Sequence, residues 1–321
     1  MKINPYLIFF VLFASFAFAQ GENDRKVYFD SLWKETESDD YTYYRIIKDY
    51  NSTKSEYQVA DYFRSGKPQM TGTFADREGK VKTGEFVWFY ENGNKKNTTT
   101  YKLFNNGRSF HPTGETTSWY ENGNKKIEAE FLVTETVEKI SWKYRIKNYW
   151  DENNVQQTKD GNGSFVEDED KLFRETGKIK DGSRDGIWIG KGLKTKKNFS
   201  FEDIYDNGNL VSGVMTDSIG VKHTYNQIVV SPKPRKGLEH FYKFISKKFR
   251  FPRNDNGQIV VSFIIDKNGD ATDLKVIKSM GDDFDNEAIR VIKAYPDWQP
   301  GKFRGMDSKT IFSIPITIKT Q

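Results

Sequence analysis

The chain has no cysteine among its 321 residues. That excludes disulfides, thiolate metal sites and cysteine nucleophiles together. Any core must then hold without covalent staples, which a chain of this length can manage. Proline is scarce at nine residues, and none of it forms a proline-rich run. An excess of one charge is missing too, since 50 basic residues face 45 acidic ones for a formal +5. Nucleic-acid binders concentrate positive charge on one face and carry a recognisable motif; the near balance is a poor match to the first, and no RNP-like, zinc-finger or helix-turn-helix pattern is present. The three histidines, His111, His223 and His240, are scattered, with no partner at helical spacing, so no metal site is expected from them. There is no G-x-S-x-G nucleophile elbow. "GIWIGKGLKTKK" (186–197) lacks phosphate-loop spacing and reads as a strand followed by a basic turn. No catalytic residue, cofactor or metal is expected, and the protein reads as a non-enzyme. A hydrolase using paired carboxylates is the remaining enzymatic alternative.

Long apolar runs are also absent beyond the start of the chain. Lys2 is followed by an uncharged stretch from Tyr6 to Ala19 that ends in Ala17-Phe18-Ala19. A membrane-spanning helix needs about 20 apolar residues. The shorter run with a small-residue site reads as a signal peptide over 1–19, cleaved before Gln20. The expected location is therefore periplasmic, in the cell envelope. Inner-membrane anchoring is the alternative if the leader stays attached.

What the chain does have is aromatics, at 15% of residues, set between Gly/Asn turns. In "GEFVWFYENGNKKNTTTY", Phe86, Trp88 and Tyr90 alternate with Glu85, Val87 and Phe89, the period of a strand. Asn92-Gly93 supplies the positive φ angles of a tight hairpin. "GETTSWYENGNKKIEAEF" repeats the unit, and YENGNKK recurs from Tyr90–Lys96 to Tyr120–Lys126. Looser copies are expected where Tyr62-Phe63 precedes Gly66, Tyr149-Trp150 precedes Asn153-Asn154, Phe173 precedes Gly177 and Tyr205 precedes Asn207-Gly208. One hairpin cannot bury an aromatic face alone, so the copies should stack into a repeat array over 57–221. The lead segment 20–56 holds a helix-like stretch near Val27–Trp33, expected to pack on the first hairpin. "GEFVWFYENGNKK", "GETTSWYENGNKK" and "FEDIYDNGNLVSGV" resemble MORN-variant repeats of bacterial antitoxin-like and envelope proteins. That resemblance implies a β-hairpin array and no particular activity.

After a linker over 222–236, containing "SPKPRKG", the pattern changes. Leu238, Phe241, Tyr242, Ile245 and Phe249 lie on one face of a helix stopped by Pro252. A hairpin follows, with Ile259–Ile265 as one strand, Asn268-Gly269 as the turn and Ala271–Ser279 as the return. A second helix over Asp283–Ala294 aligns Phe284, Ala288, Val291 and Ile292. The last strand runs from Thr310 to Ile318, and Pro315 places it at a sheet edge. "DKNGDATD" (Asp266–Asp273) spaces its acids like a calcium loop. Ala271 stands where that loop needs Gly and Ile277 where it needs Glu, so it reads as a hairpin turn.

The expected fold is thus a β-rich repeat array followed by an α+β domain at 237–321, two helices on a three-stranded antiparallel sheet. "GQIVVSFIIDKNGDATDLKVIKS", "DNEAIRVIKAYPDWQPGKFRG" and "FSIPITIK" closely resemble the TonB C-terminal domain. The resemblance implies a module of the Gram-negative envelope that binds a segment of an outer-membrane TonB-dependent transporter by strand addition, in support of transmembrane transport. By its position as the last strand, that edge is assigned to Thr310, Ile311, Phe312, Ser313, Ile314, Pro315, Ile316, Thr317 and Ile318. The chain departs from a full energy transducer, which keeps an uncleaved membrane helix and a proline-rich spacer. Direct strand addition without energy transduction is therefore expected. Cell-wall contact and a homodimer are both compatible with this composition, and nucleic acid is not. The alternative is a MORN-repeat scaffold or antitoxin-like protein-binding module with no transport role.

Overall fold

The structure, a computed structural model, describes residues 21–105, 107, 109–136, 140–169, 173–192 and 199–319. The expected leader lies outside them. The chain forms two compact units. The first runs to Gly163 and includes Asp181–Ser183; the second takes Ser164–Lys180 and everything from Arg184 on.

The first unit is a ladder of hairpins: β1 (Arg25–Phe29), β2 (Tyr43–Ile47), β3 (Tyr57–Phe63), β4 (Pro68–Phe74), β5 (Lys82–Phe89), β6 (Lys95–Phe104), β7 (Ser109–Trp119), β8 (Lys125–Glu135), β9 (Ile140–Trp150) and β10 (Gln156–Lys159). Each strand pairs antiparallel with the next in chain order. The pattern near Val27–Trp33 reads as helix-like, and here the structure differs. Arg25–Phe29 is a strand whose five residues pair with Tyr43–Ile47. β-branched and aromatic side chains suit a pleated surface, and pairing with a ready neighbour overrides a weak helical pattern.

The YENGNKK turns do more than reverse the chain. Gly93 and Gly123 take φ of 95° and 90°, and Asn92 and Asn122 each accept the backbone N–H two residues on at 2.9 Å. Each turn also grips the next copy. The Tyr90 hydroxyl donates to the Trp119 carbonyl and the Tyr120 hydroxyl to the Trp150 carbonyl, both at 2.9 Å. The Asn92 and Asn94 amides donate to the Glu121 carbonyl, and Asn122 and Asn124 repeat this on Glu152. Lys95 lies 5.9 Å from the Trp119 ring and Lys125 5.5 Å from Trp150, close enough for a cation–π attraction. The heptapeptide recurs because each copy satisfies backbone acceptors of its successor.

The chain enters the second unit inside β11 (Asn162–Glu169) and continues through β12 (Phe173–Lys180), β13 (Ser183–Gly192), β14 (Ser200–Asp206), β15 (Asn209–Thr216) and β16 (Lys222–Tyr225), neighbours in that order. Gly177, expected at a turn, sits mid-strand in β12 instead. A Cβ there would come within 2.4 Å of the Trp188 ring, so this glycine serves close aromatic packing rather than chain reversal. The turn itself falls at Asp181-Gly182, where φ is 49° and 78°.

The rest of the unit comprises β17 (Val229–Val230), β18 (Lys233–Pro234), α1 (Gly237–Lys248), β19 (Gly257–Ile265), β20 (Ala271–Lys278), α2 (Asp282–Lys293), β21 (Trp298–Gln299), β22 (Gly301–Phe303), β23 (Met306–Ser308) and β24 (Thr310–Ile318). β20, β19 and β24 form a three-stranded sheet in that order. Ile259, Val261, Phe263 and Ile265 of β19 are buried, facing Phe241 and Ile245 of α1 and all four expected residues of α2 in one cluster. Leu238 and Tyr242, placed on the apolar face of α1 by spacing, are 50% and 39% exposed. The helix buries a narrower stripe than its pattern suggests.

The stretch read as a linker is not free. Val229–Val230 pairs with Lys302–Phe303, and Lys233–Pro234 pairs with Trp298–Gln299. Both halves of the "WQPGK" run are thus pinned to residues before α1. Trp298, 1% exposed, packs among the rings of Phe241, Phe263, Tyr295 and Phe312 at 5.2–5.7 Å.

Candidate partner-binding sheet margin

β24 pairs with β19 over its whole length, from Thr310 opposite Ile265 to Ile318 opposite Gly257, without a register shift. Its alternation follows from burial. Ile314, Ile316 and Ile318 are 2–3% exposed under the helices, while Ile311 on the other face is 70% exposed. Phe312 is partly buried against the same core. Among the described residues no strand covers the far side of β24.

Pro315 explains how that margin is arranged. Within an antiparallel strand the N–H and C=O of one residue point to the same side, and the side alternates along the chain. The Pro315 carbonyl accepts the Tyr242 hydroxyl of α1 at 3.2 Å, so the Pro315 backbone faces the open margin and its missing N–H costs β19 nothing. By alternation Ile311, Ser313 and Thr317 turn their N–H and C=O groups the same way. An incoming strand would find three donors with a gap at Pro315, and one acceptor already held by Tyr242.

The opposite margin, β20, is less regular. Its pairing with β19 shifts register twice, and Asp273 takes φ of 50°. Bulges of this kind spoil an edge as a template for a further strand. At the turn into β20 the Asp266 carboxylate accepts the backbone N–H groups of Asn268 and Asp270 at 2.8 and 3.0 Å. Those bonds, that of Asp270 foremost, hold the Asp266 carboxyl below the usual carboxylate range. The acid spacing of "DKNGDATD" thus belongs to turn geometry.

A second feature had no signal in the sequence. The β22–β23 hairpin turns at Arg304-Gly305, both at positive φ (47° and 81°). Arg304 is 1% exposed and sits among β12–β16. Its guanidinium donates to the Asp203 carboxylate and the Tyr225 hydroxyl, lies 3.4 Å from Glu175, and stacks 3.4 Å from the Phe201 ring centre. Phe303 and Met306 beside it pack on Phe173, Phe201 and Met215. Arg184 donates to Glu175 and to Glu167, so both buried acids, Glu175 and Asp203, have guanidinium partners.

Residues 252–319 match the family model described as Gram-negative bacterial TonB protein C-terminal. The matched segment contains β19, β20, α2 and all of β24, and begins after α1. Residues 82–103 and 112–132 match the MORN repeat variant model; the first stretch spans β5 and most of β6, the second most of β7 and most of β8. No curated protein and no solved structure matches the chain. The matches support a TonB-like protein of the Gram-negative envelope. Among the described residues no helix is long and apolar enough to cross a membrane.

Proposed function

We propose that this is an exported envelope protein that binds an extended segment of an outer-membrane transporter as an added strand on the open margin of β24. It binds and does not catalyse, and the hairpin array offers a second protein-binding surface. The observation that carries this reading is the asymmetry of β24, paired through nine residues on one side and, among the described residues, open on the other. Unpaired N–H and C=O groups gain partners from a new strand, and alternate side chains then select its sequence.

Photoreactive residues placed at Ser313 and Thr317 in living cells test the idea. The expected outcome is an adduct with the periplasm-facing segment of an outer-membrane protein, and none from a control at Lys275 on β20. Adducts only from Lys275, or no envelope adduct from Ser313 and Thr317, would refute it.

A further inference from the structure

The first unit has an open, shallow cavity of about 290 Å³ over β3–β5, lined by Trp33, Met70 and Trp88 and by Arg45, Asp61 and Lys82. Two of its charges cancel. Arg45 donates to Asp61 through Nε at 2.7 Å and Nη2 at 2.9 Å, a bidentate pair. Lys82 is different. Its ammonium sits 4.8–5.2 Å from the ring centres of Phe86, Trp88 and Tyr101. Among the described residues it has no carboxylate within ion-pair distance. Burial, and then the nearby Arg45, depress its pKa, and the Asp61 carboxylate, already bidentate with Arg45, offsets this only in part.

One lining residue of the cavity has an uncommon backbone. Trp33 takes φ of 60°, a region that bulky residues rarely enter and that clusters at ligand clamps. Its indole lies flat on Tyr43 with ring centres 4.3 Å apart and remains 39% exposed. The loop behind it is tied by Asp30, whose carboxylate accepts the N–H groups of Leu32 and Lys34. A second cavity of this unit, over Lys48, Asp49, Lys54 and Glu56, offers no such cation, because Lys48 pairs with Asp24 and Lys54 with Asp49.

We propose that the Lys82 cavity binds a small carboxylate carried on a flat apolar body. The carboxylate would meet the Lys82 ammonium, which has no direct ion pair, and the body would lie against the lining rings of Trp33 and Trp88. The volume is at the lower end for ligand sites, which suits a single ring. The site is independent of the β24 margin, so neither proposal depends on the other.

Isothermal titration of the full chain with 3-phenylpropionate and with its neutral amide tests the charge. The acid should bind about tenfold or more tightly than the amide, corresponding to about 1.4 kcal/mol, and added salt should narrow the gap. Lys82→Met keeps most of the apolar stem and should abolish the preference; Trp33→Ala should weaken both ligands alike. Equal binding of acid and amide by the wild type, binding of neither, or a preference that survives Lys82→Met would each overturn the proposal. The wild-type comparison and its salt dependence stand even if a variant fails to fold.

Discussion

At the residue scale, Arg304 is the most consequential side chain of the second unit. An arginine at 1% exposure is tolerable only when its charge is matched, and Asp203 and Glu175 match it. Removing one partner of such a network leaves an uncompensated buried charge, with a typical cost of about 3–5 kcal/mol. Arg304→Met, which keeps the length and loses the charge, should therefore destabilise the second unit by roughly that amount, read by urea denaturation. A combined Arg304→Met, Asp203→Asn variant should recover part of the loss. In the sequence Arg304 is one of 50 basic residues in a Gly-flanked turn. Nothing local distinguishes it from a solvated turn arginine, because its partners lie 101 and 129 positions away.

At the scale of elements, one carboxylate ties α2 to the end of α1. Glu287 of α2 accepts the backbone N–H of Arg250, just past the end of α1, at 2.6 Å. It also accepts Arg290, whose guanidinium reaches back to the Lys248 carbonyl at 2.7 Å. The Arg290 hydrogen bond foremost, with that Arg250 N–H, holds the Glu287 carboxyl below its usual value. The folded state then binds this proton less readily than the unfolded chain. The stabilisation is present above the unfolded value of about 4.3 and is lost as pH falls through the lower folded value. Melting temperatures of the wild type and Glu287→Gln should therefore converge between about pH 5 and about pH 3. A gap that stays constant over that range would refute the assignment.

Elements also show how much can be read without coordinates. The apolar sets of β19 and α2 follow from their periodicity, since a strand repeats every two residues and a helix every 3.6. Phe284, Ala288, Val291 and Ile292 are accordingly all buried. Gly177 and the Val27 stretch show where local reading stops. A glycine between strands and a glycine beneath a tryptophan look alike in sequence, and β1 is a strand because β2 is there to pair with it.

For the molecule as a whole, the second unit unites part of the hairpin array with the TonB-like domain. The apolar cluster of that domain lies entirely within 241–318. Arg304, Phe303 and Met306, however, pack on β12–β16, and β22 pairs with Val229–Val230. A fragment of 237–321 should keep the cluster and lose these anchors. A fragment of 164–321 keeps both, and calorimetry should find it melting in one cooperative transition at the higher temperature. Equal melting temperatures for the two fragments would show that the Arg304 hairpin adds nothing to the domain.

The sequence alone determined the alternation of the strands, the hairpin turns at Asn-Gly, the two helices and the edge position of Thr310–Ile318. Each of these rests on spacing or turn chemistry within a few residues. Only the tertiary structure decided that the YENGNKK side chains hold the next repeat, that Pro315 turns its backbone to the open margin and that Arg304 is buried. These depend on residues from about 30 to more than 100 positions apart, and long-range contacts of this kind leave no period in the chain.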